Sequence, residues 1–312
     1  MALNLNDIKK RTQENKEKKV SIDPRSYSYL VYSLPDGGKT SLVSGMFEGK
    51  HLMLATEYGA KACLCANEIE VASFKDLKEM SKVLSDPKSI EELGYSTLIV
   101  DTATKVGSYI ESYILSRAGK QFMDEVKKWN GAYALVTRYF DEIFDPIKSA
   151  GWNIVWTCHA TVEELTDSKG HNYLRYEPQS NKRILDILKK EMDYVWFIDK
   201  RYDDEGKVHR FLVTDECKTC FGKNKTNKYV RMPLEIELEK NEKDSAKKVW
   251  TEVEKAIKGF GEENITTERK QATIGEFTER YRDIDEIKED VIKLGAKDFV
   301  ESEFEENVVV ST

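Results

Sequence analysis

Residues Ser33-Leu34-Pro35-Asp36-Gly37-Gly38-Lys39-Thr40 set two glycines directly before a lysine and a hydroxyl residue, at the end of an apolar stretch and the start of a helical one. That combination suits phosphate binding. Glycine lets backbone N–H groups approach an anion closely, the lysine ammonium neutralises it, a threonine hydroxyl is a hard oxygen ligand for Mg2+, and the helix N-terminus adds its dipole. Measured against the pattern G-x-x-x-x-G-K-[ST], Gly38, Lys39 and Thr40 fit, while Ser33 stands at the first glycine. The expected cradle is Asp36, Gly37, Gly38, Lys39, Thr40 and Ser41. The plain alternative is a strand-to-helix turn that happens to contain Gly-Gly-Lys-Thr.

Two carboxylates extend the pattern. Ser96-Thr97-Leu98-Ile99-Val100-Asp101-Thr102 is an apolar strand ending in an acid, a placement that lets Asp101 share a magnesium ion with Thr40. His51-Leu52-Met53-Leu54-Ala55-Thr56-Glu57 ends a second strand in an acid, where open α/β sheets bind ligands, so Glu57 is a candidate for orienting or deprotonating an attacking water. An exposed loop acid is the alternative at that position. Cys63-x-Cys65 and Cys217-x-x-Cys220 together would supply four thiolates for zinc, against idle or buried cysteines, and Cys158 lies within a strand as a core residue.

These side chains need a scaffold. Apolar, β-branched or aromatic runs at 29–32, 51–56, 69–74, 97–102, 153–158, 194–199 and 210–214 predict strands. Helical spacing falls between them at 39–47, 74–84, 105–123, 132–149 and 183–191. Strands joined by such helices predict an α/β fold, a mostly parallel sheet with helices on both faces and an antiparallel edge from the last two strands. The domains expected are a basic N-terminal arm at 1–24, a core at 25–240 and a helical, acidic C-terminal tail at 241–312. Within that tail Val249, Trp250, Val253 and Ile257 share one helical face.

Composition sets outer bounds. In 312 residues with 40% hydrophobic and 34% charged positions, no apolar run reaches the ~20 residues of a spanning helix, and the first twenty positions are rich in charge rather than apolar. A soluble, cytoplasmic protein without a membrane partner is expected. Five cysteines form no disulfide framework, and collagen-like or wholly disordered classes are excluded. Residues 241–312 hold 19 acidic and 12 basic residues, which accounts for the whole formal charge of −7 and leaves 37 of each sign before them. Nucleic-acid binding must then come from local patches. Lys9, Lys10, Arg11, Lys16, Lys18 and Lys19 form one; Lys218, Lys223, Lys225, Lys228 and Arg231 form another, each with a solvated arm or loop as its alternative.

The ordered set of P-loop, strand-ending glutamate and magnesium aspartate followed by Thr102 resembles the RecA-like ATPases over roughly residues 25–240. More narrowly, it resembles phage-encoded nucleotide-binding proteins of the AAA type, whose single-domain members act as single-strand annealing proteins. Trp129 to Gly131, opening a helix, and Gly151-Trp152-Asn153-Ile154-Val155-Trp156-Thr157-Cys158-His159 belong to the same likeness. By it His159 would sense the γ-phosphate and signal to a loop at 160–181. Such a loop touches single-stranded DNA in the family; here it offers Lys169, His171 and Arg175, with Lys182 and Arg183 just beyond and Tyr173 and Tyr176 for stacking. The sequence departs from the family at Ser33, at Ala55 where an aspartate is usual, and at Cys220 where an arginine completes a Lys-x-Arg pair. Lys218 is kept, and Lys200 and Arg201 are substitutes for reaching a neighbouring subunit's nucleotide.

The function implied is an ATP- and Mg2+-dependent ATPase acting on single-stranded DNA in phage recombination or replication. It would work as a homo-oligomer, ring or filament, in the bacterial host cytoplasm, with the acidic tail shielding the DNA site or engaging a protein partner. An ATP-binding scaffold or switch with little hydrolysis is the alternative. Small-molecule phosphoryl transfer lacks any motif for a substrate pocket.

Overall fold

A computed structural model of the chain describes residues 23–57, 63, 67–126, 131–225 and 232–263, with side chains to 257. Residues 1–22 of the basic arm, Cys65, Trp129, Lys228, Arg231 and the acidic stretch 264–312 lie outside the described residues. The chain order is β1 (Tyr29–Ser33), α1 (Lys39–Met46), β2 (His51–Ala55), β3 (Glu68–Glu70), α2 (Phe74–Leu84), α3 (Lys88–Leu93), β4 (Thr97–Asp101), α4 (Ala103–Ala118) and α5 (Gly131–Ser149). It continues with β5 (Asn153–Thr166), β6 (Asn172–Gln179), α6 (Lys182–Glu191), β7 (Tyr194–Tyr202), β8 (Val208–Val213), β9 (Lys223–Asn224), β10 (Glu235–Glu237) and α7 (Glu242–Glu263).

The strands form one sheet in the order β10-β8-β7-β1-β5-β4-β2-β3, with β6 on β5 and β9 on β7. From β7 to β3 neighbours run parallel; β8, β9, β10 and β6 pair antiparallel. This is the expected mixed α/β sheet. β1, β2 and β4 are buried at every position, because apolar residues on both faces of a strand require cover on both. The two-residue period divides them between two cores: Leu30 and Tyr32 pack toward α2, α4, α5 and α6, while Tyr29 and Val31 pack toward α1 and α7.

Two segments differ from the sequence expectation. Helix α7, expected to open the tail, is part of the body: Val249, Trp250, Val253, Ala256 and Ile257 are buried, and Trp250 Nε1 donates to Met46 O at 2.7 Å. The compact unit that carries the sheet runs to Glu263 rather than 240. Gly45 of α1 makes this packing possible, since a Cβ there would lie 2.8 Å from Glu242 O. A single apolar stripe buries only against a matching face, and α1 supplies it.

The second is the expected loop at 160–181. β5 continues through Thr166 and returns as β6, so a β-hairpin stands there. Its tip closes because Asp167 Oδ1 accepts from the N–H groups of Lys169 and His171, and Gly170 takes φ +87°.

Candidate functional site

Ser33 closes β1, and the turn to α1 passes through Asp36 at φ +58° and Gly38 at φ +95°. The missing first glycine has a local compensation. Ser33 is fully buried, its hydroxyl donates to Leu34 O at 2.8 Å, and a Cβ on Gly37 would lie 2.4 Å from Ser33 Oγ. The space the serine takes is the space that glycine at 37 leaves. The loop therefore keeps its wrap: the Gly37 N–H donates to Leu34 O at 3.2 Å, and the N-terminus of α1 faces the cavity where an anion would sit.

β5 lies between β1 and β4, so the carboxyl ends of all three strands converge beside this loop. From β4 comes Asp101, 2% exposed. Thr40 Oγ1 donates to its Oδ2 at 2.9 Å and Thr157 Oγ1 to its Oδ1. From the end of β2 comes Glu57, whose two oxygens lie 3.1 Å from His159 Nε2 and whose Oε1 accepts from Thr102 Oγ1 at 3.0 Å. The His159 hydrogen bond holds the Glu57 carboxyl below the ordinary range; partial burial opposes this, and the charges of His159 and Lys39 and the Thr102 hydroxyl add to it. Lys39 itself is 8% exposed. His159 is fixed from behind, its N–H donating to Thr104 Oγ1 at 3.0 Å, and its Nδ1 is buried with no partner among the described residues.

Lys39, Thr40, Asp101, Glu57 and His159 thus line one cavity of about 610 Å³, together with Asp36, Gly38 and Ser41. A phosphate chain and magnesium fit this donor set: a glycine cradle, an ammonium, and a hydroxyl and carboxylate already within 2.9 Å of each other as hard oxygen ligands. Two contributors were not foreseen. Arg210 of β8 reaches over the loop, its Nη2 donating to Asp36 O at 3.4 Å while its Nε is buried without a partner among the described residues. Glu242, at the start of α7, turns an unpartnered buried Oε2 toward the same cavity. An antiparallel edge was legible, but not the register that sets Arg210 opposite Lys200.

Elsewhere the expectations separate. Lys169 is exposed at the hairpin tip, and Lys182 and Arg183 are exposed at the start of α6. Arg175 is not a free cation: it is paired with Glu177 and Glu216, and Lys189 pairs with the other oxygen of Glu177. Exposed Glu163, Glu164 and Asp167 further offset the hairpin's bases. Arg201, a candidate for reaching across subunits, is held in its own chain by Asp199 at 2.7 Å and Glu235 at 2.5 Å; Lys200 lies over Tyr202, and Lys218 is exposed. In the second basic patch, Lys223 caps α6 through Lys189 O and Lys190 O, and Lys225 pairs with Asp193. Cys63 sits 3.5 Å from Ser41 Oγ at the nucleotide loop, whereas Cys217 and Cys220 meet each other beside β6. Among the described residues no three His, Cys, Asp or Glu side chains group to hold a metal, and Cys63 does not join Cys217 and Cys220 as a ligand set; Cys65 lies outside the described residues. No helix there is long and apolar enough to cross a membrane.

Over residues 25–226 the chain matches the family described as AAA domain. It is also similar to the SPbeta prophage-derived uncharacterized protein YorG of Bacillus subtilis (strain 168), 24% identical over 180 residues, 57% of this chain and 52% of the relative. The chain spans about half the length of that relative.

Proposed function

Because the chain belongs to the AAA domain family, we propose that it is a phage-encoded, RecA-like ATPase that binds and hydrolyses ATP with Mg2+ and acts as a homo-oligomer on single-stranded DNA in recombination or replication. One observation carries the reading: the glycine loop, the Thr40–Asp101 pair and the Glu57–His159 pair open onto the same cavity. The prophage in the relative's name supports the phage setting.

Lys39 and the loop N–H groups would hold the phosphates, with Arg210 as a further cation from above. Thr40 and Asp101 would hold Mg2+, which supplies charge neutralisation on the phosphates when bound. Glu57, kept ionised, is the acceptor for a water proton. His159 Nε2 lies 3.1 Å from both oxygens of Glu57, so a movement of the imidazole would change how readily the carboxylate takes up a water's proton. Since β5 runs from His159 directly into the hairpin, such a shift has a path along the strand to its tip, where Lys169 would meet the DNA backbone, while Lys182 and Arg183 would meet it where α6 starts beside the hairpin's root.

The same pairing favours the second reading, an ATP-bound switch with slow turnover. ATP hydrolysis with and without single-stranded DNA, with Lys39→Ala as the contaminant control, separates the two. Lys39-dependent turnover that rises with DNA supports the ATPase. Nucleotide binding with turnover at the level of the variant in both conditions overturns it in favour of the switch.

A further inference from the structure

The segment from Thr214 to Gly222 leaves β8 and folds into a closed loop on the outer side of β6. Its neck is tight: a Cβ on Gly222 would lie 2.2 Å from Asp215 C and 2.5 Å from Glu216 N, so only glycine lets the stems cross. Within it Cys217 N–H donates to Cys220 O at 3.1 Å, and the two sulfurs are 3.2 Å apart. The loop is fastened to β6 and to the strand of the nucleotide loop. Tyr176 N–H donates to Thr219 O at 2.8 Å, Phe221 N–H to Tyr176 O at 2.9 Å, and Tyr32 Oη to Phe221 O at 2.6 Å.

The two thiols have unequal settings. Cys217 is half-buried and reachable from solvent; Cys220 is 1% exposed. Cys158 is enclosed within β5. We propose that Cys217 and Cys220 form a dithiol exchange site that reacts with a low-molecular-weight disulfide of the glutathione class. Cys217, as thiolate, attacks one sulfur of the reagent, forming a mixed disulfide and expelling one thiolate. Cys220, after losing its proton to solvent, attacks the Cys217 sulfur and expels the second. The protein loses two electrons and two protons, and the reagent leaves as two thiols.

The local chemistry agrees with this order. Burial opposes ionisation of Cys217, but the Thr219 hydroxyl, the Cys220 thiol and the Thr219 and Cys220 amides outweigh it, and the thiol is lowered below its ordinary value. Cys220 is raised, by burial first and then by its contact with Cys217. Capping Cys217 removes that second cause and leaves burial, so the 3.2 Å approach of the two sulfurs is what favours the second step. Bond formation then needs a shift of about an ångström in a loop already held by backbone hydrogen bonds. In a reducing compartment such a bond is transient and reports oxidant. Its formation would fasten the loop that backs β6.

The test uses the reduced full-length protein, oxidised glutathione at mildly alkaline pH, acid quenching and peptide mass mapping. Expected are a Cys217–Cys220 disulfide forming about tenfold faster than any modification of Cys63 or Cys158, one stable glutathione on residue 217 in Cys220→Ser, and an unmodified Cys220 in Cys217→Ser. The proposal is overturned if the wild-type pair stays reduced while other cysteines react, or if Cys217 keeps its glutathione with no internal disulfide. The wild-type measurement decides without either variant.

Discussion

The nucleotide cavity and the root of the β5–β6 hairpin are both rich in charge, yet they treat it oppositely. On the hairpin's β6 strand the buried charges meet one another: Glu177 accepts from Arg175 and Lys189, and Arg175 also reaches Glu216. In the cavity, His159, Arg210 and Glu242 each hold a buried polar atom without a partner, three of the six such atoms among the described residues. Orphaned buried groups cost free energy unless something arrives to satisfy them. The contrast separates a cavity whose polar groups face open space from a charge cluster that is a structural joint.

The largest effect should come from the cavity. Glu57→Gln keeps the shape and the Thr102 contact but removes the base, so kcat for ATP should fall about 10²–10⁴-fold with nucleotide affinity retained. Equal turnover in the variant would show that Glu57 is only a partner for His159. At the hairpin root the prediction is stability, not chemistry. Glu177→Ala leaves Arg175 and Lys189 facing each other and should cost about 3 kcal/mol in urea unfolding, the low end for a broken buried pair because both cations keep some solvent. An unchanged midpoint would remove the distinction between the two regions.

A smaller effect tests the DNA face. Replacing both Lys182 and Arg183 with Ala should reduce the slope of log affinity against log salt for a single-stranded oligonucleotide by about 1.4, at roughly 0.7 per phosphate contact, whereas Arg175→Ala should leave it unchanged. A slope lost only with Arg175 would reverse the assignment. The smallest is a shift in pH dependence. Glu57 is lowered in the folded protein, so its ionised form, and the stability it brings, is present above its unfolded value and lost only as pH falls through the lower folded one. His159→Ala removes the leading cause, and the acid limb of the ATPase profile should move upward toward the ordinary carboxylate range. A limb that stays in place would assign it to another group.

How much of this was legible depended on range. Lys39, Thr40 and Gly38 act within one turn, where the chain itself fixes geometry, and Asp101 and Glu57 were readable as acids ending apolar strands. The Ser33–Gly37 compensation carried a signal, a second glycine beside a lost one, but its meaning needed the 2.4 Å contact. Arg175 looked free because it was read as part of a loop: once 172–179 is a strand, Glu177 two residues on shares its face and pairs with it, and a second partner, Glu216, is 41 residues away. Arg210 lies 174 residues from Asp36 and came into view only with the pairing of β7 and β8.

The order of apolar strands and helices, and with it the α/β sheet and the phosphate loop, followed from the sequence alone, because periodicity and turn chemistry act between near neighbours. Which charges are spent on one another, which stay open to the cavity, and that α7 belongs to the body were decided by tertiary structure. Register and packing bring together residues whose spacing along the chain carries no trace of the contact, and burial then determines whether a charge must find a partner.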